Sequence, residues 1–144
     1  LDDLLDAMAA RFLAGIDLTD TDGPWPDRMR RAATELHDRM RSRPELTELV
    51  LSRAPTIAAG PALLRRFEEI LIRAGVPDTV AHLAWHVVLT VVIGSLRQER
   101  ARDQNQTDTF EAVLDVAVAG LVAIAAGPLE ARPLALLESH GRER

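Results

Sequence analysis

A chain of 144 residues suits one domain that buries a core without covalent cross-links. It contains no cysteine, which excludes disulfide and thiol chemistry and fits a reducing cytoplasm. The 22 acidic residues outnumber the 17 basic ones, which are all arginine, and the net charge of −5 opposes direct binding to nucleic acid. No basic and apolar leader is present. We therefore expect a cytoplasmic protein. Because Leu1 already lies within a helical pattern, we also expect that the chain was cut from a longer one.

The first predicted element is an amphipathic helix over residues 1–16, where leucines, Met8 and Phe12 recur at helical spacing. Turn-forming residues and two prolines predict a loop over 17–26. The letters DLTDTDG in this loop resemble a calcium-binding loop. The aligned first and last ligand positions, however, fall on Leu18 and Met29, where such a loop requires carboxylates. We therefore predict no calcium site.

Three further helices follow the loop. One is predicted over 26–43, with its proline in the first turn, where no hydrogen bond is lost. A short one is predicted over 44–53, and a loop over 54–60 separates it from a helix over 61–74. Gly75 is a typical helix C-cap, and the proline two residues later prevents continuation of that helix.

The last two long helices are predicted over 80–102 and 109–126, joined by a polar loop. The β-branched stretch 87–93 is compatible with a strand, but its length and its helical flanks favour a helix. The apolar part of the first of these helices, about 15 residues by our count, is predicted to be too short and too polar to span a bilayer. A short helix over 129–137 and a frayed, charged tail complete the chain.

These elements predict an all-α bundle of six or seven helices in one domain, 1–144, whose tail from about 128 is partly frayed. Residues 80–94 and 112–126 are apolar on more than one helical face, which is more than one domain core requires. A symmetric homodimer would cover the second face, although both segments are also compatible with the central helices of a monomer. The predicted dimer interface consists of Val92, Leu96, Phe110, Val113, Leu114, Ala117 and Leu121.

A set of methionine, aromatic and histidine side chains is predicted to lie on inward helix faces. Such residues suit a pocket for a small, largely apolar molecule, although they are equally typical of a core. The candidate ligand-binding residues are Met8, Phe12, Met29, His37, Met40, Phe67, His82, Trp85 and His86.

Catalytic and metal motifs are sparse. His82 and His86 share a helix face at the spacing of two metal ligands, but Leu83 stands where the zinc-protease motif has glutamate, and no third ligand is evident. No serine lies in a nucleophile motif, and no glycine-rich phosphate loop occurs. We therefore predict neither an enzyme nor a bound metal or cofactor.

Four segments, in order, resemble the C-terminal domain of TetR-family transcriptional regulators. They cover much of residues 1–127. The first two contain a tryptophan before a long helix and a helix that ends in Ala-Gly-Val; the last two contain a long helix that passes a glycine and a final helix with a Phe-Glu start. The segments are PWPDRMRRAATELHDRMRSRPEL, LLRRFEEILIRAGVPDTVA, VVLTVVIGSLRQER and DTFEAVLDVAVAGLVAIA.

The resemblance implies a homodimer built on the last two long helices and an effector cavity among the helices at 1–16, 26–43, 61–74 and 80–94. It also implies that operator DNA is bound through an N-terminal helix-turn-helix domain that is missing here. The His and Glu side chains that hold a magnesium–drug complex in the tetracycline repressor cannot be placed on this sequence.

We therefore expect the effector-binding and dimerising part of a bacterial, ligand-responsive regulator, with repression as its mode and no membrane attachment. Two alternatives remain open at this point. One is a small α-helical enzyme that depends on a metal held by His82 and His86. The other is a helical interaction module without a ligand, whose cavity is filled by its own side chains.

Overall fold

The computed structural model describes residues 1–18, 22–53, 59–102 and 107–126. Within these ranges the chain forms six helices and no strand, which confirms the predicted all-α bundle. The predicted short helix over 129–137 and the charged tail lie outside the described residues. The helices are α1 (Asp2–Ala14), α2 (Trp25–Ser42), α3 (Pro44–Arg53), α4 (Ala59–Arg73), α5 (Asp78–Arg102) and α6 (Thr107–Ala126).

Helix α5 lies at the centre of the bundle, where it packs against α2, α4 and α6. Helix α1 packs against α3 and α4, and α2 contacts both groups of helices. Val88 and Val92 of α5 are almost fully enclosed, and the alanine at position 84 lets neighbouring helices approach closely. The β-branched stretch 87–93 is helical as predicted, because burial against three neighbouring helices outweighs a weak local preference for strand.

The turn between α4 and α5 follows directly from its sequence. Gly75 adopts a φ of +92°, a backbone conformation that costs glycine little. The Val76 N–H donates to the Leu71 carbonyl at 3.1 Å, and the Gly75 N–H donates to the Ile72 carbonyl at 2.9 Å. This pattern satisfies the last carbonyls of α4. Val76 is buried beyond the turn, so the turn also fixes the angle at which α5 enters the core.

Helix α6 is apolar on two faces, of which the bundle covers one. The uncovered side is here called the α6 face, and at its centre Val116 is 74% exposed. Small residues flank this valine, so the surface is shallow and presents few polar groups to water. The buried stripe consists of Phe110, Leu114, Val118 and Leu121. The α6 face consists of Ala112, Val113, Val116, Ala119, Gly120 and Ala123.

By length and composition alone, α5 and α6 are each sufficient to cross a membrane. The expectation that the apolar part of α5 is too short and too polar was wrong, because the qualifying segment runs over 24 residues, Asp78–Ala101. In the bundle, 39% of the most apolar stretch of α5 is buried, against 22% of that of α6. The larger uncovered apolar surface therefore belongs to α6.

Two neighbouring residues of α4 test this packing. Leu71 is 1% exposed, so Leu71→Ala should lower the free energy of unfolding by about 2–5 kcal/mol through lost burial and a new cavity. Ile72 is 40% exposed, so Ile72→Ala should cost less than about 1 kcal/mol. Urea denaturation measures both values, and equal losses would contradict the described orientation of α4.

Candidate functional site

An open cleft of about 370 Å³ lies between α1, α2 and the start of α3. It is here called the arginine cleft. Its charged lining consists of arginines alone, and its apolar lining comes from one methionine, one phenylalanine and one leucine. The lining residues are Met8, Arg11, Phe12, Arg39, Ser42, Arg43 and Leu46.

Arg39 is the most constrained arginine of this cleft. Its Nε donates to the Phe12 carbonyl at 3.2 Å, and its guanidinium carbon lies 5.2 Å from the centre of the Phe12 ring. Gly15 leaves the room for this guanidinium, because a Cβ there would lie 2.1 Å from an Arg39 terminal nitrogen. A backbone carbonyl, an aromatic ring and a glycine therefore hold the Arg39 cation against the cleft.

A second cleft, of about 240 Å³, lies between α2, α4 and residues 17–18. Two carboxylates, Asp17 and Glu35, balance two arginines in its lining. The Arg28 Nε donates to the Gly23 carbonyl at 2.7 Å, and Arg31 bonds to the carbonyl of residue 22. Because the signs of charge balance and the arginines are bonded to the chain itself, this cleft offers no net attraction to a charged molecule.

Four of the predicted ligand-binding residues line one cleft or the other. Met8 and Phe12 lie in the arginine cleft, whereas Met29 and Phe67 lie in the second cleft. The structure therefore does not bring the nine candidates into one pocket.

The other candidates lie away from both clefts. Trp85 packs against Phe67, with ring centres 5.3 Å apart, beside a core space of only about 10 Å³, which holds at most one water molecule. Met40 and His37 are buried, and His82 and His86 lie exposed on α5. Apolar side chains from several helices fill the space around Trp85, so the described residues leave no open cavity there.

His82 and His86 form a chain of hydrogen bonds with a carboxylate of α4. The His82 Nδ1 lies 2.6 Å from Glu68 Oε1, and the two histidine Nε2 atoms lie 3.1 Å apart. If His82 donates its Nδ1–H to Glu68, its Nε2 accepts the Nε2–H of His86. Partial removal of the His86 ring from water, and then the neighbouring His82, lowers the pKa of His86 below its ordinary value, against an opposite effect of Glu68.

The same pair was the candidate for a metal site. Two Nε2 atoms at this separation can contact one ion, and Glu68 would orient His82 from behind. Among the described residues, however, no group of three or more His, Cys, Asp or Glu side chains is arranged to hold a metal ion. The pair therefore supplies two ligands at most.

His37 forms a buried polar contact between three helices. Its ring is fully enclosed, its Nε2 lies 3.0 Å from Glu99 Oε1 on α5, and it stacks on Phe110 of α6 at 3.8 Å. The Arg41 Nε lies 3.6 Å from the other Glu99 oxygen. Among the described residues, the His37 Nδ1 has no hydrogen-bond partner; it lies 3.5 Å from a carboxylate oxygen of Asp38. This cluster therefore joins α2 to both α5 and α6.

The predicted dimer interface divides between core and surface. Val113 is 44% exposed and Ala117 is half-buried, so both remain available to a partner. A second copy cannot cover side chains that are already enclosed, and the other five therefore belong to the core. These five are Val92, Leu96, Phe110, Leu114 and Leu121.

Sequence reasoning missed the arginines of the cleft and Glu99. Arg11, Arg39, Arg43 and Glu99 belong to no motif or apolar pattern in the sequence. The spacing of Arg39 three residues before Ser42 and four before Arg43 places them near one helix end, which is the only signal that the sequence holds. No protein-family model, curated protein or solved structure matches the chain, so its site is interpreted from its own residues.

The His37 contact makes a quantitative prediction. Glu99→Ala removes the acceptor of a buried imidazole and should lower the free energy of unfolding by about 1–3 kcal/mol. Glu48→Ala is the matched control, since Glu48 bonds to Arg100 across an exposed pair and its loss should cost less than about 1 kcal/mol. Urea denaturation of both variants decides the point. A Glu99→Ala cost no larger than the control would show that His37 does not depend on this contact.

Proposed function

We propose that this chain is the effector-binding and dimerising domain of a TetR-type, ligand-responsive transcriptional regulator, with repression as its mode. Four segments in order support the family. The α6 face carries the proposal, because an uncovered apolar surface on the last long helix is what a dimer built on that helix requires. In this proposal operator DNA is bound by a separate N-terminal domain outside residues 1–144.

The composition of the α6 face favours a second copy of the chain as its partner. Alanines and a glycine around Val116 let two helix backbones approach closely. In a dimer with a twofold axis, the α6 face of one chain would pack against the α6 face of the other. The face runs from residue 112 to 123, about 17 Å along the helix. Exposed parts of α5 beside α6 would add to the area, as the four-helix interface of the family implies.

A bilayer is a poorer partner for the same surface. Helix α2 packs directly against both α5 and α6, and Arg30 of α2 bonds to Asp115 of α6 at 2.9 Å. The remaining side of α2 carries exposed charges, Arg31 and Asp38 among them. Lipid around α5 and α6 would have to displace α2 or bury these charges, which is costly. These contacts support a domain that lies outside the bilayer, which agrees with the proposed cytoplasmic regulator.

The effector would act through α2. This helix lines both clefts and also contacts α5 and α6 through the His37 cluster. A ligand that favours one position of α2 would shift the two helices that carry the dimer, and so the separation of the DNA-binding domains.

The ligand-free interaction module remains the second candidate, and the closed core space beside Trp85 favours it. The metal-dependent enzyme has only His82 and His86 in its support.

Sedimentation velocity at micromolar concentration tests the proposal. The unaltered chain should sediment as a dimer without detergent. Val116→Glu should shift it to monomer by placing two unpaired carboxylates at the twofold axis, raising the dissociation constant at least tenfold.

Ile72→Glu is the matched control, since Ile72 is also an exposed apolar residue but lies on α4. It should leave the dimer intact, and circular dichroism should show the same helix content for all three proteins. A monomeric unaltered chain, a Val116→Glu dimer, or a chain that stays dispersed only in detergent would overturn the proposal.

A further inference from the structure

We propose that the arginine cleft binds a small organic anion with an apolar body, such as a carboxylate, sulfonate or phosphate carried on a hydrocarbon chain or ring. The inference rests on the proposed function in one respect, because it names the chemical class of the effector. It changes the sequence-based expectation of a largely apolar effector, since the cleft presents cations beside its apolar side chains.

Among the described residues, the lining of the cleft carries positive charge only. Several arginines elsewhere bond to carboxylates, as Arg30 does to Asp115, Arg53 to Asp6 and Arg100 to Glu48. The arginine cleft brings three guanidinium groups together with no carboxylate in its lining, in a chain whose net charge is −5. An anion in the cleft would receive the hydrogen bonds that carboxylates receive at Arg30, Arg53 and Arg100.

Arg39 gives the cleft a fixed cation. Its side chain is half-buried, and its described partners are a carbonyl and an aromatic ring, neither of which carries a negative charge. Taking a guanidinium partly out of water is unfavourable unless an anion or several hydrogen bonds compensate. The planar group, held by Phe12 and by the space at Gly15, is in place to donate to a bound anion.

The apolar part of the cleft favours a ligand with a hydrocarbon body. Met8 is 42% exposed and Phe12 and Leu46 lie beside it, so a hydrocarbon body would cover surface that is now wet. A volume of about 370 Å³ falls within the range of small-molecule sites. Inorganic phosphate would accept hydrogen bonds from the arginines but leave this apolar surface exposed. A neutral hydrocarbon would cover the surface but accept no hydrogen bond from the arginines.

Isothermal titration calorimetry with decanoate tests the assignment. Decanol, which has the hydrocarbon chain without the charge, and inorganic phosphate, which has the charge without the chain, are the controls. Decanoate should bind at least tenfold more tightly than either, and its affinity should fall as salt is raised. Equal binding of decanoate and decanol would overturn the proposal. So would binding to vesicles of anionic lipid without binding of free decanoate.

Three variants locate the site. Arg43→Gln removes an exposed cation and should weaken decanoate about tenfold. Gly15→Ala should also weaken it while keeping every charge, because Gly15 has a helical φ of −78° that alanine accepts and the new Cβ displaces the Arg39 guanidinium. Arg65→Gln, on the exposed side of α4, is the control and should leave binding unchanged. Equal affinity of Arg43→Gln and Arg65→Gln would overturn the site.

The two proposals fail separately. If the chain is monomeric but binds decanoate with this dependence on Gly15 and Arg43, the dimer is wrong and the cleft assignment stands. If the chain is a dimer that binds decanoate no better than decanol, the cleft assignment is wrong and the dimer stands.

Discussion

His37, enclosed between Glu99 and Phe110, is the buried polar side chain that joins α2 to both α5 and α6. This one side chain contacts α5 by a hydrogen bond and α6 by ring stacking, while its own helix lines both clefts. A buried polar group restricts how its helices can shift, because moving α2 away from α5 would break the hydrogen bond between the imidazole and Glu99. In the proposed regulator, α2 would therefore transmit a change at a cleft to the helices of the dimer.

The sequence was sufficient to predict the helices because their signals are local. Gly75 before a proline predicts the end of α4, and the apolar spacing of residues 110–121 predicts α6. The second apolar face of α6 was also correctly read as excess surface. Which face turns inward was not predictable, since Leu114 and Val116 are equally apolar and only the packing of α2 and α5 distinguishes them.

The candidate site was predictable only in part. Met8 and Phe12 were predicted as ligand-binding residues because large side chains on inward helix faces suit a pocket, and they line the larger of the two clefts. The arginines that give this cleft its character lie on α1, α2 and the residue before α3, and their convergence depends on the crossing of three helices. The partnership of His37 with Glu99 spans 62 residues and has no periodic signal. Long-range polar contacts of this kind follow from tertiary packing, which a single sequence does not display.

The proposed change of dimer geometry with a bound anion can be measured directly, because the chain contains no cysteine. A single Asp3→Cys variant, spin-labelled at that exposed position near the start of α1, reports the distance between two copies by pulsed electron paramagnetic resonance. We expect one defined intermolecular distance that shifts when decanoate is added. The absence of any intermolecular distance, or a distance unchanged by saturating decanoate, would contradict it.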